Sequence, residues 1–174
     1  MKRWGTVGAA IFAIGVSLCV LDEYWPSLFA GAVAKADAIQ VSKSNRTLEL
    51  IAAGTVIKSY PISLGGNPVG PKREDGDSKT PEGTYTIEWR KPNSRFYRAL
   101  RISYPNESER AMATKRSVSP GGDVMIHGVP RGLGILSRLF RGRDWTNGCI
   151  AVDNIAMAEI WSAVEVGTPI EIRP

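Results

Sequence analysis

The 174-residue chain holds one histidine and two cysteines, and only one of those cysteines, Cys149, lies outside an N-terminal apolar run. One imidazole and one thiol fall short of the three or four protein ligands that a zinc site needs, so no metal is expected. A lone cysteine likewise excludes the disulfide framework that staples many small exported domains. The sequence has no internal repeat. It also lacks a basic helix or a basic patch interleaved with aromatics, so the formal charge of +5 does not point to nucleic acid. Residues 1–38 carry three basic and three acidic side chains, so the surplus belongs to the remainder of the chain. An anionic envelope polymer suits that surplus better.

What is present begins with an export signal. Lys2 and Arg3 precede a run from Trp4 to Leu21 without charge, and Asp22 and Glu23 close it. As a helix this run would rise roughly 27 Å, close to a bilayer span and long for a cleaved apolar region. Residues 1–21 are therefore expected to be a signal anchor or a signal peptide, with Ala30-Gly31-Ala32 and Ala34-Lys35-Ala36 as small-residue sites if it is cut. The anchor reading associates the protein with the inner membrane through residues 4–21. Either reading places the rest in the periplasm or cell envelope. Residues 22–38, with Pro26, Gly31 and several alanines, read as a tether, and residues 39–174 as one folded domain.

That domain reads as mainly β. Leu48, Leu50 and Ala52 alternate with polar neighbours, Gly54 marks a turn, and Thr55 to Leu64 continues extended, which predicts a hairpin. After a loop rich in glycine, proline and charge, the pairs Tyr85/Ile87 and Leu100/Ile102 repeat the two-residue period, and Val124–His127 forms a short apolar strand. One helix is predicted: Asp153 or Asn154 caps it, Met157, Ile160, Trp161 and Val164 share a face, and Gly167 and Pro169 end it before a closing strand at Ile170 and Ile172. The expectation is a sandwich or barrel-like domain with one main helix directly after the cysteine.

The chemistry concentrates in Val124-Met125-Ile126-His127-Gly128 and Asp144-Trp145-Thr146-Asn147-Gly148-Cys149-Ile150. A thiol and an imidazole suffice for acyl transfer, since the ring can take the thiol proton and return it to a leaving amine. Gly148 permits a tight turn in which its own N–H and that of Cys149 could meet an oxyanion. Between the two segments, Ile135, Leu136, Leu139 and Phe140 recur as a short amphipathic helical turn, expected to pack against the domain, with a lid as the other reading. Asp77 is expected to shape its loop.

These residues resemble the L,D-transpeptidase family of the YkuD type, whose signature pairs a His-Gly element with Ser/Thr-x-Gly-Cys. Ser63-Leu64-Gly65, Gly70-Pro71-Lys72, Gly76-Asp77 and Lys79-Thr80-Pro81-Glu82-Gly83-Thr84-Tyr85 look like that family's upstream elements. The resemblance implies Cys149 as nucleophile, His127 as base and acid, and the Gly148 and Cys149 backbone as oxyanion donors. It implies peptidoglycan tetrapeptide stems as substrate, a thioester intermediate, and an acceptor that is a second stem, an envelope lipoprotein or water. It requires no cofactor.

Asn147 stands where many members have histidine, and Ile150-Ala151-Val152 where many have arginine, so the grip on the substrate carboxylate is not specified. The Asn147-Gly148-Cys149-Ile150-Ala151 run is closer to a subgroup that includes a wall-lipoprotein amidase. Arg131, Arg138, Arg141 and Arg143 face one acid, Asp144, in the intervening stretch. Arg141 and Arg143 are candidate carboxylate clamps, with Thr146, Asn147 and Tyr104 as further candidate substrate contacts; a solvated basic loop is the competing reading. A peptidoglycan-binding module without catalysis is the alternative from another class.

Overall fold

The computed structural model describes residues 24–174, and the apolar run 4–21 lies outside them. No helix among the described residues is long and apolar enough to cross a membrane. The described residues open in helix at 24–29 (α1), followed by strands β1 (Ala38–Ser42), β2 (Thr47–Ala52), β3 (Thr55–Pro61), β4 (Gly83–Ser94) and β5 (Tyr97–Ile102). Helix α2 (Glu107–Lys115), β6 (Met125–His127), a 3-10 segment (Gly134–Phe140), β7 (Ile150–Ala151), α3 (Asn154–Ala163) and β8 (Pro169–Arg173) complete the order.

The strands form one eight-stranded sheet in the order β3-β2-β1-β8-β4-β5-β6-β7. Most pairs are antiparallel; β1 with β8 and β6 with β7 are parallel. The chain leaving β3 bridges Ser63 to Ala151 and Gly65 to Thr146, so the two ends of the sheet meet and the domain is barrel-like. Alternation builds the interior: Leu48 and Leu50 of β2, Leu100 and Ile102 of β5, and Ile170 and Ile172 of β8 are buried and join one core cluster with Met157 and Ile160 of α3.

The predicted hairpin and the helix after the cysteine are both present. Asp153 caps α3, its Oδ1 accepting from Ala156 N at 3.0 Å. Helix α2 was not anticipated, because only Ala113 of its residues is buried and it carries almost no apolar stripe. Its legible signal is a capping box, Asn106 with Glu109, in which each side chain accepts from the other's backbone N–H. Residues 31–36, within the stretch read as a tether, lie along α3: Gly31 N donates to Glu159 Oε1 at 2.8 Å, Lys35 pairs with Glu165, and Ala36 N donates to Ala163 O at 3.0 Å.

The stretch at 135–140 corrects an expectation. It forms a 3-10 helix, whose three-residue turn stacks Gly134, Ser137 and Phe140 on the inward side. Ile135, Leu136 and Leu139 are thereby turned outward and exposed, not packed against the domain.

Asp153 serves two structures at once, since Arg141 Nε and Nη2 donate to its Oδ2 at 3.0 and 2.6 Å while its other oxygen caps α3. Replacing Asp153 by alanine removes the cap and strands the guanidinium, and is expected to cost roughly 2 kcal/mol. Asparagine, which keeps the cap, should cost clearly less; equal midpoints for the two variants in urea would contradict this double role.

Candidate active site

Parallel register brings the two chemical residues together. Ile126 of β6 pairs with Ile150 of β7, and His127 with Ala151. Cys149, one residue before that register, stands level with Met125. Side chains two apart on a strand face the same way, so Cys149 opens on the same side as His127. Both line a cleft of about 840 Å³ that also takes in Lys91, Arg95, Phe96, Asp123 and Trp145.

The imidazole is held by backbone and by rings. Its Nδ1 lies 2.6 Å from Gly128 O, and because a carbonyl can only accept, Nδ1 carries the proton and Nε2 is left as the basic nitrogen. The centroid of Phe96 lies 4.5 Å from that of the imidazole and the centroid of Trp145, set edge-on, 5.8 Å, so the imidazole packs against two aromatics. His127 is only 4% exposed. Burial lowers its pKa from 6.5 to about 4, against the Gly128 hydrogen bond and with help from the nearby Arg95 charge. The ring is neutral at pH 7. Burial also pushes the Cys149 thiol above its ordinary range, with the Met125 backbone and the Lys72 ammonium opposing. The resting pair is thiol and neutral imidazole. Gly128 is required locally, because a Cβ there would meet Asn154 Oδ1 at 2.4 Å, and that oxygen accepts from Val129 N at 2.9 Å.

The cysteine turn is closed by Thr146, whose hydroxyl donates to Cys149 O at 2.8 Å and accepts from Gly148 N at 3.1 Å. Gly148 has φ +124°, and a Cβ would sit 2.5 Å from Lys79 O. Beneath it, a Cβ on Gly65 would lie 2.1 Å from Ser78 O and 3.1 Å from Gly148 Cα. Gly65 N donates to the buried Thr80 hydroxyl at 3.1 Å. Asp144 pins the turn's entrance: it takes Arg46 Nη2 at 2.6 Å and Leu64 N at 3.0 Å. The upstream elements singled out in the sequence are therefore the floor on which the cysteine turn rests. Asp77 shapes its own loop: although burial works the other way, hydrogen bonds from Arg73 N, Lys72 and Lys79 N hold its carboxyl below the ordinary range.

Of the remaining candidate residues, Asn147 and Thr146 line the cleft, Thr146 with its hydroxyl committed to the turn. Arg131, Arg138, Arg141 and Arg143 do not line it, and Arg141 is committed to Asp153. Tyr104 is buried, donates to Pro120 O at 2.9 Å and borders a different depression beside α2. Sequence reasoning passed over Lys91 and Arg95, the cationic side chains at the cleft rim. They sit some thirty residues upstream of His127, where β4 turns into β5, and only the β5–β6 pairing carries them to the cleft.

A family model for the L,D-transpeptidase catalytic domain, YkuD, matches residues 36–172. YafK of Escherichia coli (strain K12), which carries an L,D-transpeptidase name, is 36% identical over 131 residues; the match covers 72% of this chain and 50% of that protein. The chain thus spans about half the length of that relative. Among solved structures, Bd1075 of Bdellovibrio bacteriovorus is 26% identical with a TM-score of 0.53, covering 81% of this chain and 48% of that one. The helical cell shape determining protein Pgp2 of Campylobacter jejuni shares the fold at 20% identity and a TM-score of 0.59, covering 87% and 55%. With the model spanning nearly all of the barrel-like domain and both the His-Gly and the Thr-Asn-Gly-Cys elements, the chain belongs to the L,D-transpeptidase catalytic domain family of the YkuD type.

Proposed function

We propose that the protein is a cysteine acyltransferase of the bacterial cell wall that acts on peptidoglycan tetrapeptide stems. The observation that carries this reading is the His127 hydrogen bond to Gly128 O, which leaves a neutral Nε2 in the cleft shared with the only thiol of the domain. Nε2 takes the Cys149 proton as Sγ attacks the carbonyl at the L-centre of meso-diaminopimelate. The oxyanion is met by Cys149 N–H, since Gly148 N–H is already given to Thr146. The imidazolium then protonates the departing D-alanine amine, and a thioester remains. An acceptor amine gives up its proton to Nε2, attacks the thioester and restores the thiol. Arg95 and Lys91 at the rim are placed to hold a stem carboxylate in place of the arginine missing after the cysteine. The domain works on the envelope side of the membrane, and residues 4–21 anchor it there.

The acceptor separates this reading from its rivals. With tetrapeptide stems the protein should release D-alanine and form cross-linked dimers, and it should join stems to a lipoprotein amine if that is its acceptor. Shortened stems without joined products would mean that water is the acceptor. Cys149→Ala should lower turnover on the order of 10⁴-fold or more; stem binding by both forms with turnover by neither would mean a binding module. Arg95→Ala should raise KM for the stem roughly tenfold, the value of one charge-assisted hydrogen bond, with kcat little changed.

The pH dependence follows from the neutral pair. The base form of His127 is lost only as pH falls through about 4, so the acid limb of kcat/KM lies well below 6.5. The thiolate is disfavoured by burial, so alkylation of Cys149 by iodoacetamide should keep accelerating above pH 9. A plateau already at neutral pH would reveal a thiolate–imidazolium pair and contradict this electrostatic account.

A further inference from the structure

Two groups of exposed apolar side chains lie on segments that contact the turn from β4 into β5. The first is on the 3-10 segment and the residue before it, where the three-residue turn aligns Leu133, Leu136 and Leu139 in one stripe and puts Ile135 beside it. They are 36%, 48%, 63% and 62% exposed. The second is on α1, where Tyr24, Leu28 and Phe29 are 66%, 78% and 62% exposed. Both segments contact residues 95–97, where β4 turns into β5: Ser27 Oγ lies 3.1 Å from Tyr97 Oη, and Arg131, two residues before Leu133, donates its N–H to Arg95 O at 2.9 Å. Residues 31–36 run along the C-terminal half of α3, Ser27 accepts from Arg98, whose guanidinium lies over Trp161 of α3, and Arg141 fixes the other loop to the first turn of α3 through Asp153.

We propose that this end of the domain docks on an anionic lipid bilayer, with the leucines and Ile135 entering the acyl boundary and the arginines of the loop at the headgroups. A contiguous exposed apolar patch on a folded domain marks an interaction surface. Three features select a membrane. The loop from Val129 to Arg143 contains four arginines and no acid, and Arg131, Arg138 and Arg143 are exposed around the leucines; a mix of apolar tips and arginines is the composition of interfacial segments. The 23 residues outside the described structure join α1, which contacts the same turn through Ser27, and they contain the uncharged run from Trp4 to Leu21. None of Leu133, Ile135, Leu136 or Leu139 lines the cleft, so the stripe is free to serve lipid while stems enter beside Lys91 and Arg95. The docked domain would hold its cleft close to the bilayer surface.

The test uses the full chain with Cys19→Ser and Cys149→Ser, reconstituted in vesicles of phosphatidylglycerol and phosphatidylcholine. A nitroxide is placed at Leu136→Cys or, as a reference, at Val69→Cys, which is 79% exposed on another loop. Collision with oxygen and with a water-soluble nickel chelate reports immersion. The label at 136 should be several-fold less accessible to nickel and more accessible to oxygen than the label at 69. That difference should be lost in pure phosphatidylcholine and in an Arg138→Glu/Arg143→Glu variant. Equal nickel accessibility at the two positions would overturn the proposal, as would immersion that ignores phosphatidylglycerol. Low accessibility to both reagents would also overturn it, because protein and not lipid would then cover the patch. None of these readouts depends on turnover, so they stand apart from the acyl-transfer reading.

Discussion

The site depends on a backbone-to-backbone approach. Gly148 runs so close to the Lys79 carbonyl that no side chain fits between them, and Gly65 is wedged in the same way against Ser78 and against Gly148 itself. Such proximity is possible only where three segments, 63–66, 78–80 and 146–149, have glycine at the crossings and hydrogen bonds to hold them. Ser63 and Ala151 exchange two backbone hydrogen bonds of 2.8 Å, and Thr146 N and Gly66 N close the adjoining bridge. The same contacts join the two ends of the sheet. Closing the barrel and aiming the thiol are therefore one structural event, and damage to either propagates to the other.

On that frame the electrostatics are set by dryness. The imidazole packs against two aromatics and has one backbone acceptor, so it needs no carboxylate to fix its tautomer; Gly128 O does so by geometry. An acid in that place would favour the imidazolium and raise the pKa of the ring. Burial instead keeps both partners neutral until a substrate carbonyl offers the thiol somewhere to go.

Much of this was legible in the sequence, for identifiable reasons. Strands with a two-residue period and one buried face, such as Leu48/Leu50 and Leu100/Ile102, announce themselves, as does α3, with its cap at Asp153 and its buried stripe. His127 and Cys149 stand out as the only imidazole in the chain and the only thiol outside the apolar run. What stayed hidden depends on contacts far apart in the chain or on a local period that was misjudged. Helix α2 has a cap but no apolar face. The stripe at 133–139 follows a three-residue turn, so an α-helical reading turned its leucines inward. Arg141 looked like a substrate clamp because its acid, Asp153, belongs to the following helix, and Asp144 looked like a lone counter-charge because its partner Arg46 lies 98 residues away. Tyr104 lies past the end of β5, where the chain turns after Ile102 and its ring joins the core beside α2. The Gly148 N–H looked free because nothing in the sequence shows that the Thr146 hydroxyl folds back to take it.

The central claim is that Cys149 is a nucleophile that forms a thioester with help from His127. Intact-mass spectrometry after exposure to a carbapenem, whose strained amide offers a carbonyl to an activated thiol, tests it most directly. The account predicts a single adduct of the drug's mass that maps to Cys149, is missing in Cys149→Ser and forms far more slowly in His127→Ala. A folded protein whose thiol reacts with iodoacetamide but takes up no carbapenem, or one in which His127→Ala acylates at the unaltered rate, would contradict it.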